Sequence, residues 1–258
     1  MNKYFLPFML MIFMLTGCSG CIGTNKLVIG IDDEFAPISF HNEHNELVGF
    51  EIDLATEACR RLGVTAEFKP INWDNKREEI MSGNIDMIWN GLDITDERKE
   101  YMIFSKPYMD DRQIVLIRKD SKFSINSQYD LEGKIVGTQA GSASDDYINK
   151  NKDLKESLAE FKTYEKFGEV FDALKNGEID ICVCDELIGR YEINRHPNQF
   201  ELINVKIGFM TEMGIGFPKD KVELRDRIQV VFDEMIKDGT AREISEEWFG
   251  ADLIKSRR

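Results

Sequence analysis

A similar sequence unit occurs twice in this chain of 258 residues, and it constrains the fold more than any other feature. Residues 81–88 and 174–181 each run from the end of a helix through a glycine to an Ile-Asp pair and a strand. Two copies of one unit predict two similar lobes, each presenting the ends of its strands to the other. Chance similarity between two helix–strand junctions is the alternative.

Helices and strands alternate along most of the chain. Residues 51–62 have helical apolar spacing and stop at Gly63, a favourable position for a C-terminal glycine. This alternation predicts an α/β fold with a mostly parallel, doubly wound sheet. Residues 113–117 are predicted to cross between the lobes. The terminal helices, one at 222–237 and a short one that starts at Thr240, are predicted to pack back on the first lobe. Short apolar strands are predicted at residues 27–31, 64–68, 85–89 and 134–138.

The first residues have the composition of a secretory signal. Lys3 precedes an apolar run at 4–15 that is too short to span a membrane, and residues 15–18 read Leu-Thr-Gly-Cys. That tetrapeptide resembles the bacterial lipobox, which implies that Cys18 becomes the lipidated first residue of the mature chain. An uncleaved N-terminal anchor, or the use of Cys21 instead, is the alternative. No later stretch is apolar enough to span a bilayer.

Charge and cysteine content argue against several classes of function. The formal net charge is -14, and it becomes about -15 when the leader is removed. Nucleic-acid binding needs clustered Lys and Arg, so no nucleic-acid partner is expected. Cys182 and Cys184 lie two apart on a predicted strand, where they point the same way and cannot easily bridge each other. No histidine lies beside them, so we predict buried apolar roles for both, no metal and no cofactor.

Polar residues at the ends of two strands indicate what the chain binds, because ligands of α/β sheets bind beyond the carboxyl ends of the strands. Arg98 follows the strand at 85–89, and its planar guanidinium suits a carboxylate. Asp185 follows the strand at 179–184 and suits an ammonium. A free amino acid requires both. Small residues at 139–144 open another helix, whose N–H groups form either an anion site or an ordinary helix start.

Several motifs, in their order and spacing, resemble the extracellular solute-binding proteins of amino-acid ABC transporters, the polar amino acid group. The resemblance covers nearly the whole mature chain and implies a two-lobed periplasmic-binding-protein-like fold (type II), with two hinge strands that let the lobes close on a ligand. The motifs are Gly-Ile-Asp at 30–32, Phe-Ala-Pro at 35–37, Leu-Val-Gly-Phe-Glu-Ile-Asp-Leu at 47–54, Gly-Leu-Asp-Ile-Thr-Asp-Glu-Arg at 91–98, Phe-Ser-Lys-Pro-Tyr at 104–108, Leu-Glu-Gly-Lys at 131–134, Asp-Glu at 185–186 and Glu-Trp-Phe-Gly at 247–250.

On this resemblance the chain divides into a signal, a tether and two lobes. The predicted bounds are 1–17 for the lipoprotein signal peptide, 18–25 for the lipid-anchored tether, 26–111 and 208–258 for a discontinuous lobe 1, and 112–207 for lobe 2.

The resemblance also implies ligand contacts, residue by residue. Arg98 matches the arginine that grips the ligand carboxylate, and Ser142 with its neighbouring backbone matches the second lobe's contribution to that group. Asp185 matches the acid that takes the ammonium, and Gly91 matches a residue whose carbonyl also meets it. The remaining predicted contacts are Phe35 and Trp73 as aromatic walls, for which core packing is the alternative, Asp32 at the far end of the ligand side chain, and Asn90, Asp93, Gln139 and Ala143.

Asp93 departs from the family pattern, because many relatives place a Ser or Thr hydroxyl there. Either Asp93 and Asp185 face one ammonium, or Asp93 turns toward Arg98 or caps the following helix. With Asp32 and Glu34 nearby, the first arrangement favours a basic ligand such as arginine, lysine or ornithine. Glutamine and cystine are the alternatives.

The resemblance implies binding without catalysis. A free L-amino acid is captured by hinge closure and passed to an ABC permease, with an ATPase on the cytoplasmic side supplying energy. The lipid on Cys18 is expected to anchor a monomer outside the cytoplasm, at a Gram-positive surface or in a periplasm. Two alternatives are a dehydratase on the same fold, with Asp93 or Glu34 as general acid or base, and a ligand sensor for a membrane receptor. The sequence contains neither a Ser-His-Asp set nor a phosphate loop, either of which would favour an enzyme.

Overall fold

The computed structural model describes residues 25–255. Most of the chain alternates between strands and helices, and two 3-10 helices cover Trp73–Asn75 and Gln128–Leu131. The strands, in chain order, are β1 (Lys26–Ile31), β2 (Glu34–Phe35), β3 (Ser39–His41), β4 (Leu47–Val48), β5 (Thr65–Pro70), β6 (Met87–Ile88), β7 (Met102–Phe104), β8 (Met109–Arg118), β9 (Ile135–Gln139), β10 (Glu160–Tyr164), β11 (Ile181–Asp185), β12 (Phe200–Met213) and β13 (Gly216–Pro218). The helices are α1 (Phe50–Leu62), α2 (Lys76–Met81), α3 (Asp96–Lys99), α4 (Ala143–Lys150), α5 (Lys152–Ser157), α6 (Phe167–Asn176), α7 (Glu186–Arg195), α8 (Val222–Asp238) and α9 (Thr240–Phe249).

Two five-stranded sheets of the same plan form the two lobes. The order is β5-β1-β6-β13-β7 in lobe 1 and β10-β9-β11-β8-β12 in lobe 2, and a small sheet β2-β3-β4 accompanies lobe 1. In each lobe the first three strands are parallel and the fourth runs antiparallel to the third. The α/β class is confirmed. The sheets are mixed rather than mostly parallel, because the crossing strand β8 joins the lobe 2 sheet in the opposite direction, and β13, which follows the crossing strand β12, does the same in lobe 1.

Both copies of the repeated sequence unit make the same contacts. The glycine that ends the helix has a φ of 75° in the first copy and 77° in the second. Asp86 donates its N–H to the carbonyl of Val28, and its carboxylate accepts the N–H of Val28, both at 2.8 Å. Asp180 makes the same pair of bonds with Ile135, at 2.8 and 2.9 Å. The prediction of two similar lobes is therefore confirmed.

Two long antiparallel strands, β8 and β12, connect the lobes. Their pairing runs from Met109 opposite Met213 to Arg118 opposite Phe200, with register shifts near its middle. The predicted lobe boundaries at 111/112 and 207/208 lie inside these strands. The carboxyl end of β12 continues into lobe 1 through β13, so a rotation of the lobes must bend this ribbon.

The last two helices pack on lobe 1, as predicted. The ring of Phe232 in α8 lies 5.4 Å from that of Trp89 at an edge-to-face angle, and Phe249 of α9 lies 4.9 Å from Phe50. Edge-to-face aromatic pairs add to the energy of burial itself. These contacts tie the end of the chain to the strands that carry the cleft.

The cysteines at 59, 182 and 184 are free and buried, which confirms the apolar role predicted for Cys182 and Cys184. Cys18, Cys21 and the predicted signal lie outside the described residues. Among residues 25–255, none of the helices has the length and apolar character that crossing a bilayer requires.

Candidate ligand-binding site

Arg98 is buried where the two lobes meet. It lies in the short helix α3, where the Thr95 hydroxyl accepts its N–H at 3.2 Å and so caps the helix. The side chain is only 2 % exposed. Nη1 donates to the carbonyl of Asp93 at 3.0 Å, and Nη2 reaches the carbonyl of Gly141 in lobe 2 at 3.1 Å. Nε is buried and has no hydrogen-bond partner within residues 25–255. A buried donor of this kind is suited to an acceptor supplied by a ligand.

Three buried carboxylates gather beside Arg98. Oxygen atoms of Asp93, Asp111 and Asp185 all lie within 4.8 Å of one another. These residues come from the loop after β6, from β8 and from the end of β11. Asp93 also lies 3.9 Å from Nη1 of Arg98. Asp93 therefore faces both Arg98 and Asp185, whereas the predicted alternative that it caps the next helix is wrong, because Thr95 provides that cap.

The three acids repel one another in a buried environment. Burial, followed by the charge of Asp185, raises the pKa of Asp93 to about 7. Burial and the two neighbouring acids also raise the pKa of Asp111 well above its usual range. A cation placed among them relieves this repulsion. The spacing also suits a metal ion, which the sequence did not predict, but the positive charge of Arg98 opposes a divalent cation more strongly than an ammonium.

Residues of the two crossing strands hold the acids in place. Nε2 of Gln113 donates to Asp111 at 2.8 Å and also to Asp185, and Ser144 donates to the other end of the Gln113 amide. Thr211 donates to Asp93. Oδ1 of Asp111 has no partner in the described part of the chain. None of Asp111, Gln113, Ser144 and Thr211 is among the predicted site residues. A signal existed, because Asp111 lies two residues before Gln113, the first residue of the predicted strand, and falls on the same face once the strand is extended back to Met109.

The carbonyl of Gly141 joins lobe 2 to lobe 1. Nζ of Lys76 donates to it at 2.7 Å, and also to the carbonyl of Trp73 at 3.0 Å. Arg98 donates to the same carbonyl of Gly141. Lys76 is buried and its ammonium lies 5.5 Å from the centre of the Trp73 ring. Burial, followed by the charge of Arg98, lowers the pKa of Lys76 to about 7.

Ser142 and Ala143 form the start of α4. The Ser142 hydroxyl accepts the N–H of Asp145 at 3.1 Å, so this side chain caps the helix. The helix start lies next to Gly141 and therefore next to Arg98. The structure therefore shows an ordinary helix start here, and the anion site, the other alternative left by the sequence, stays a prediction.

Phe35 and Gly91 pack closely together at the base of the cleft. A Cβ atom on Gly91 would lie 2.7 Å from the Phe35 ring, and φ of Gly91 is 56°. The N–H of Gly91 donates to Glu51 at 2.6 Å. Burial raises the pKa of Glu51 to about 7, although the hydrogen bonds from Tyr108 and Gly91 oppose this shift. Phe35 also lies 5.7 Å from the ring of Phe167 in lobe 2, so it packs within the core and between the lobes.

Asp32, at the end of β1, is bound from lobe 2. Gln139 donates to one carboxylate oxygen, and Nζ of Lys166 donates to the other at 2.8 Å. Lys166 also donates to Asp33 at 3.1 Å. Burial lowers the pKa of Lys166, but the two aspartates outweigh it and the net shift is upward. The Ser39 hydroxyl donates to the Asp32 carbonyl at 2.6 Å and also contacts Asn90, which links Asp32 to the loop after β6.

The charges near Asp32 differ from those that the sequence suggested. Lys166 offsets the charge of Asp32, and Glu34 is exposed rather than buried in the cleft. The expectation of a basic ligand depended partly on Asp32 and Glu34. The first of these charges is offset and the second faces solvent, so both support a basic ligand less than the sequence suggested.

Two similar α/β lobes joined by two strands, with charged side chains buried where the lobes meet, define a protein that holds a small ligand between its lobes. Residues 27–251 match the model of the bacterial extracellular solute-binding proteins, family 3, and the chain belongs to this family. It is 30% identical over 229 residues to the L-cystine-binding protein TcyJ of Escherichia coli strain K12, covering 89% of this chain and 84% of that protein.

Solved structures of amino-acid-binding proteins are also similar to this chain. The substrate-binding protein of an ABC uptake transporter from Streptococcus pneumoniae, with bound histidine, is 34% identical with a TM-score of 0.84, covering 90% of this chain and 95% of that one. An ancestral arginine-binding protein bound to arginine is 36% identical with a TM-score of 0.82, covering 88% and 99%. These matches place the described lobes in the two-lobed fold of known binding proteins.

Proposed function

We propose that this protein captures a free L-amino acid between its lobes as the binding component of an ABC importer. The observation that carries the proposal is the adjacency of opposite charges in the cleft. Arg98 has a buried Nε without a partner in residues 25–255, and the carboxylate of Asp93 lies 3.9 Å from the same guanidinium. One carbon atom separates the carboxylate and ammonium of an amino acid, so this arrangement matches both groups at once. The relatives named for cystine, histidine and arginine support it.

The carboxylate and the ammonium of the amino acid then each have their own partners. The ligand carboxylate binds Arg98 and the start of α4. Its bonds to the guanidinium are charge-assisted and therefore stronger than hydrogen bonds between neutral groups. The ligand ammonium binds the three acids and the carbonyl of Gly91. Closure of the lobes excludes water and strengthens these contacts. The full proposed set is Asp32, Phe35, Trp73, Asn90, Gly91, Asp93, Arg98, Asp111, Gln139, Ser142, Ala143 and Asp185.

Arg98→Met tests the proposal, because methionine keeps much of the apolar volume and removes the donors. Thermal melting and calorimetry with the twenty amino acids, ornithine and cystine should show binding by the wild-type protein. We expect Arg98→Met to weaken binding at least a hundredfold, about 3 kcal/mol, because each hydrogen bond to a charged group contributes roughly 1.5–3 kcal/mol. Arg60→Met, on the exposed face of α1, is the matched control and should bind normally.

A stable protein freed of co-purified ligand that binds none of these compounds would contradict the amino-acid proposal. Equal affinity of wild-type and Arg98→Met protein would contradict the role of Arg98. We also propose that the ligand is released unchanged, without catalysis, which mass spectrometry of the bound compound tests.

We further propose that a lipid on Cys18 anchors the protein, as a monomer, at the outer face of the membrane beside its permease. Membership of an extracellular family supports the location. Cys18→Ser should release the protein from the membrane fraction, whereas Cys21→Ser should leave it bound. The reverse result would assign the anchor to Cys21. Light scattering of the protein without its leader gives its molar mass and so tests whether it is a monomer.

A further inference from the structure

Lys166 reaches from lobe 2 to Asp32 and Asp33 of lobe 1, and its ion pairs do not include the three acids. It directly precedes α6 in lobe 2, and its backbone N–H is accepted by Glu169 at 3.3 Å, which holds the turn. Its ammonium crosses to lobe 1, where it donates to Asp32 and Asp33. The side chain is 16% exposed, and that of Asp32 is 2% exposed. This is therefore a largely buried ion pair between the lobes.

Three of the roughly four acceptor positions of the Asp32 carboxylate are already used in this arrangement. One oxygen accepts from Lys166 at 2.8 Å and from the N–H of Glu34 at 3.0 Å, and the other accepts from Gln139. A ligand cation that bound Asp32 would have to displace Lys166 or lie within a few ångströms of a second positive charge. Both alternatives oppose binding, because like charges in a poorly solvated site repel strongly.

We propose that Lys166 makes the site select amino acids whose far end carries no net positive charge. A carboxamide, or a second aminocarboxylate group whose own charges cancel, has acceptors for the lysine ammonium without opposing it. Arginine, lysine and ornithine place a cation against it. This inference rests on the proposed amino-acid function, because it assumes that the ligand side chain extends from the Arg98 end of the cleft toward Asp32.

Lys166→Met tests the inference, because it removes the ammonium and keeps most of the apolar stem. Calorimetry with glutamine, cystine and arginine should show that the wild-type protein prefers glutamine or cystine to arginine. In Lys166→Met the unpaired Asp32 becomes available to a ligand cation, so arginine affinity should rise at least tenfold. Affinity for glutamine or cystine should stay equal or fall, and the preference should therefore shift toward arginine.

Lys150→Met is the matched control. Lys150 also carries one positive charge from lobe 2 to lobe 1, where it donates to Glu97 at 2.6 Å. Both side chains of this pair are exposed to solvent, and the pair does not include Asp32. Its loss should change affinities for all ligands by a similar factor and leave the preference unchanged. A change of preference in Lys166→Met alone therefore separates ligand selection from a general effect on closure.

Three results would overturn the inference. A wild-type protein that binds arginine more tightly than glutamine and cystine contradicts it directly. So does an arginine affinity that does not rise in Lys166→Met while glutamine or cystine still binds, and in both cases the amino-acid function stands. If neither protein binds any amino acid, the proposed function fails and the inference fails with it.

Discussion

At the scale of single residues, the site depends on charged groups that are buried next to one another. Asp93 is the clearest case, because it lies within 4.8 Å of Asp111 and Asp185 and 3.9 Å from Arg98. Asp146 adds a more distant negative charge. The pKa of Asp93 is raised to about 7, mainly by burial. Its proton should therefore respond to any cation that enters the cleft.

We predict that amino-acid binding weakens as the pH falls below about 7. Below this pH Asp93 holds a proton in the protein without ligand, and the ligand ammonium favours the ionised carboxylate. The proton must then leave on binding, which weakens the affinity by up to about tenfold per pH unit. Calorimetry at pH 6.5 in phosphate and in Tris should report proton release, as a difference in apparent enthalpy between the two buffers.

Asp93→Asn should reduce this release, and Asp220→Asn, in an exposed turn, should not. Release that persists fully in Asp93→Asn would assign the proton to Asp111, whose pKa is also raised. Proton uptake on binding by the wild-type protein would contradict the prediction.

At the scale of elements, the turn between β9 and α4 decides how lobe 2 meets lobe 1. Its sequence, with a glycine among small residues, predicted a helix start, and α4 begins there. Gly141 has a φ of 69°, and a Cβ atom on it would lie 2.8 Å from Nζ of Lys76 and 2.9 Å from Cα of Asp74. The turn therefore needs glycine for its conformation and for the space between the lobes.

Gly141→Ala should weaken both folding and ligand binding. The positive φ alone costs about 1 kcal/mol for an L residue, and the crowding against lobe 1 opposes closure in addition. Gly133→Ala is a matched control, because Gly133 has the same φ of 69° but nothing lies within 4 Å of the position of its Cβ. Both variants should melt at lower temperature than wild type, and only Gly141→Ala should lose more than tenfold in affinity by calorimetry. Equal affinities would show that the turn tolerates the extra methyl group.

At the scale of the whole molecule, polar groups at both ends of the cleft hold the lobes together. Lys76 and Arg98 donate from lobe 1 to Gly141, and Lys166 donates from lobe 2 to Asp32. Lys150 adds an exposed bond to Glu97, Phe35 packs against Phe167, and the ribbon of β8 and β12 joins the lobes through the chain itself. The balance between open and closed forms therefore depends on these contacts between the lobes and on the ligand.

Lys76→Met should shift that balance toward the open form. The variant loses two hydrogen bonds from an ammonium, one of them across the cleft, and keeps the apolar stem beside Trp73. Small-angle scattering should give a larger radius of gyration than for wild type, and ligand dissociation should be at least tenfold faster. Lys69→Met is the control, since its partner Glu79 lies in the same lobe. An unchanged radius and dissociation rate would show that Lys76 does not contribute to closure.

The sequence by itself determined the two-lobed α/β plan, the repeated unit, the terminal helices on lobe 1 and the family. These features depend on short-range spacing and on motifs that a single segment contains. Arg98 and Asp185 were also predicted, because Asp185 comes at the end of a strand and Arg98 lies in the helix that follows another strand. Only the tertiary structure decided the mixed direction of the sheets, the place of Asp111 in the acid cluster, and the pairing of Asp32 with Lys166. Those contacts join residues that are far apart in the chain, and the path of the crossing strands brings them together.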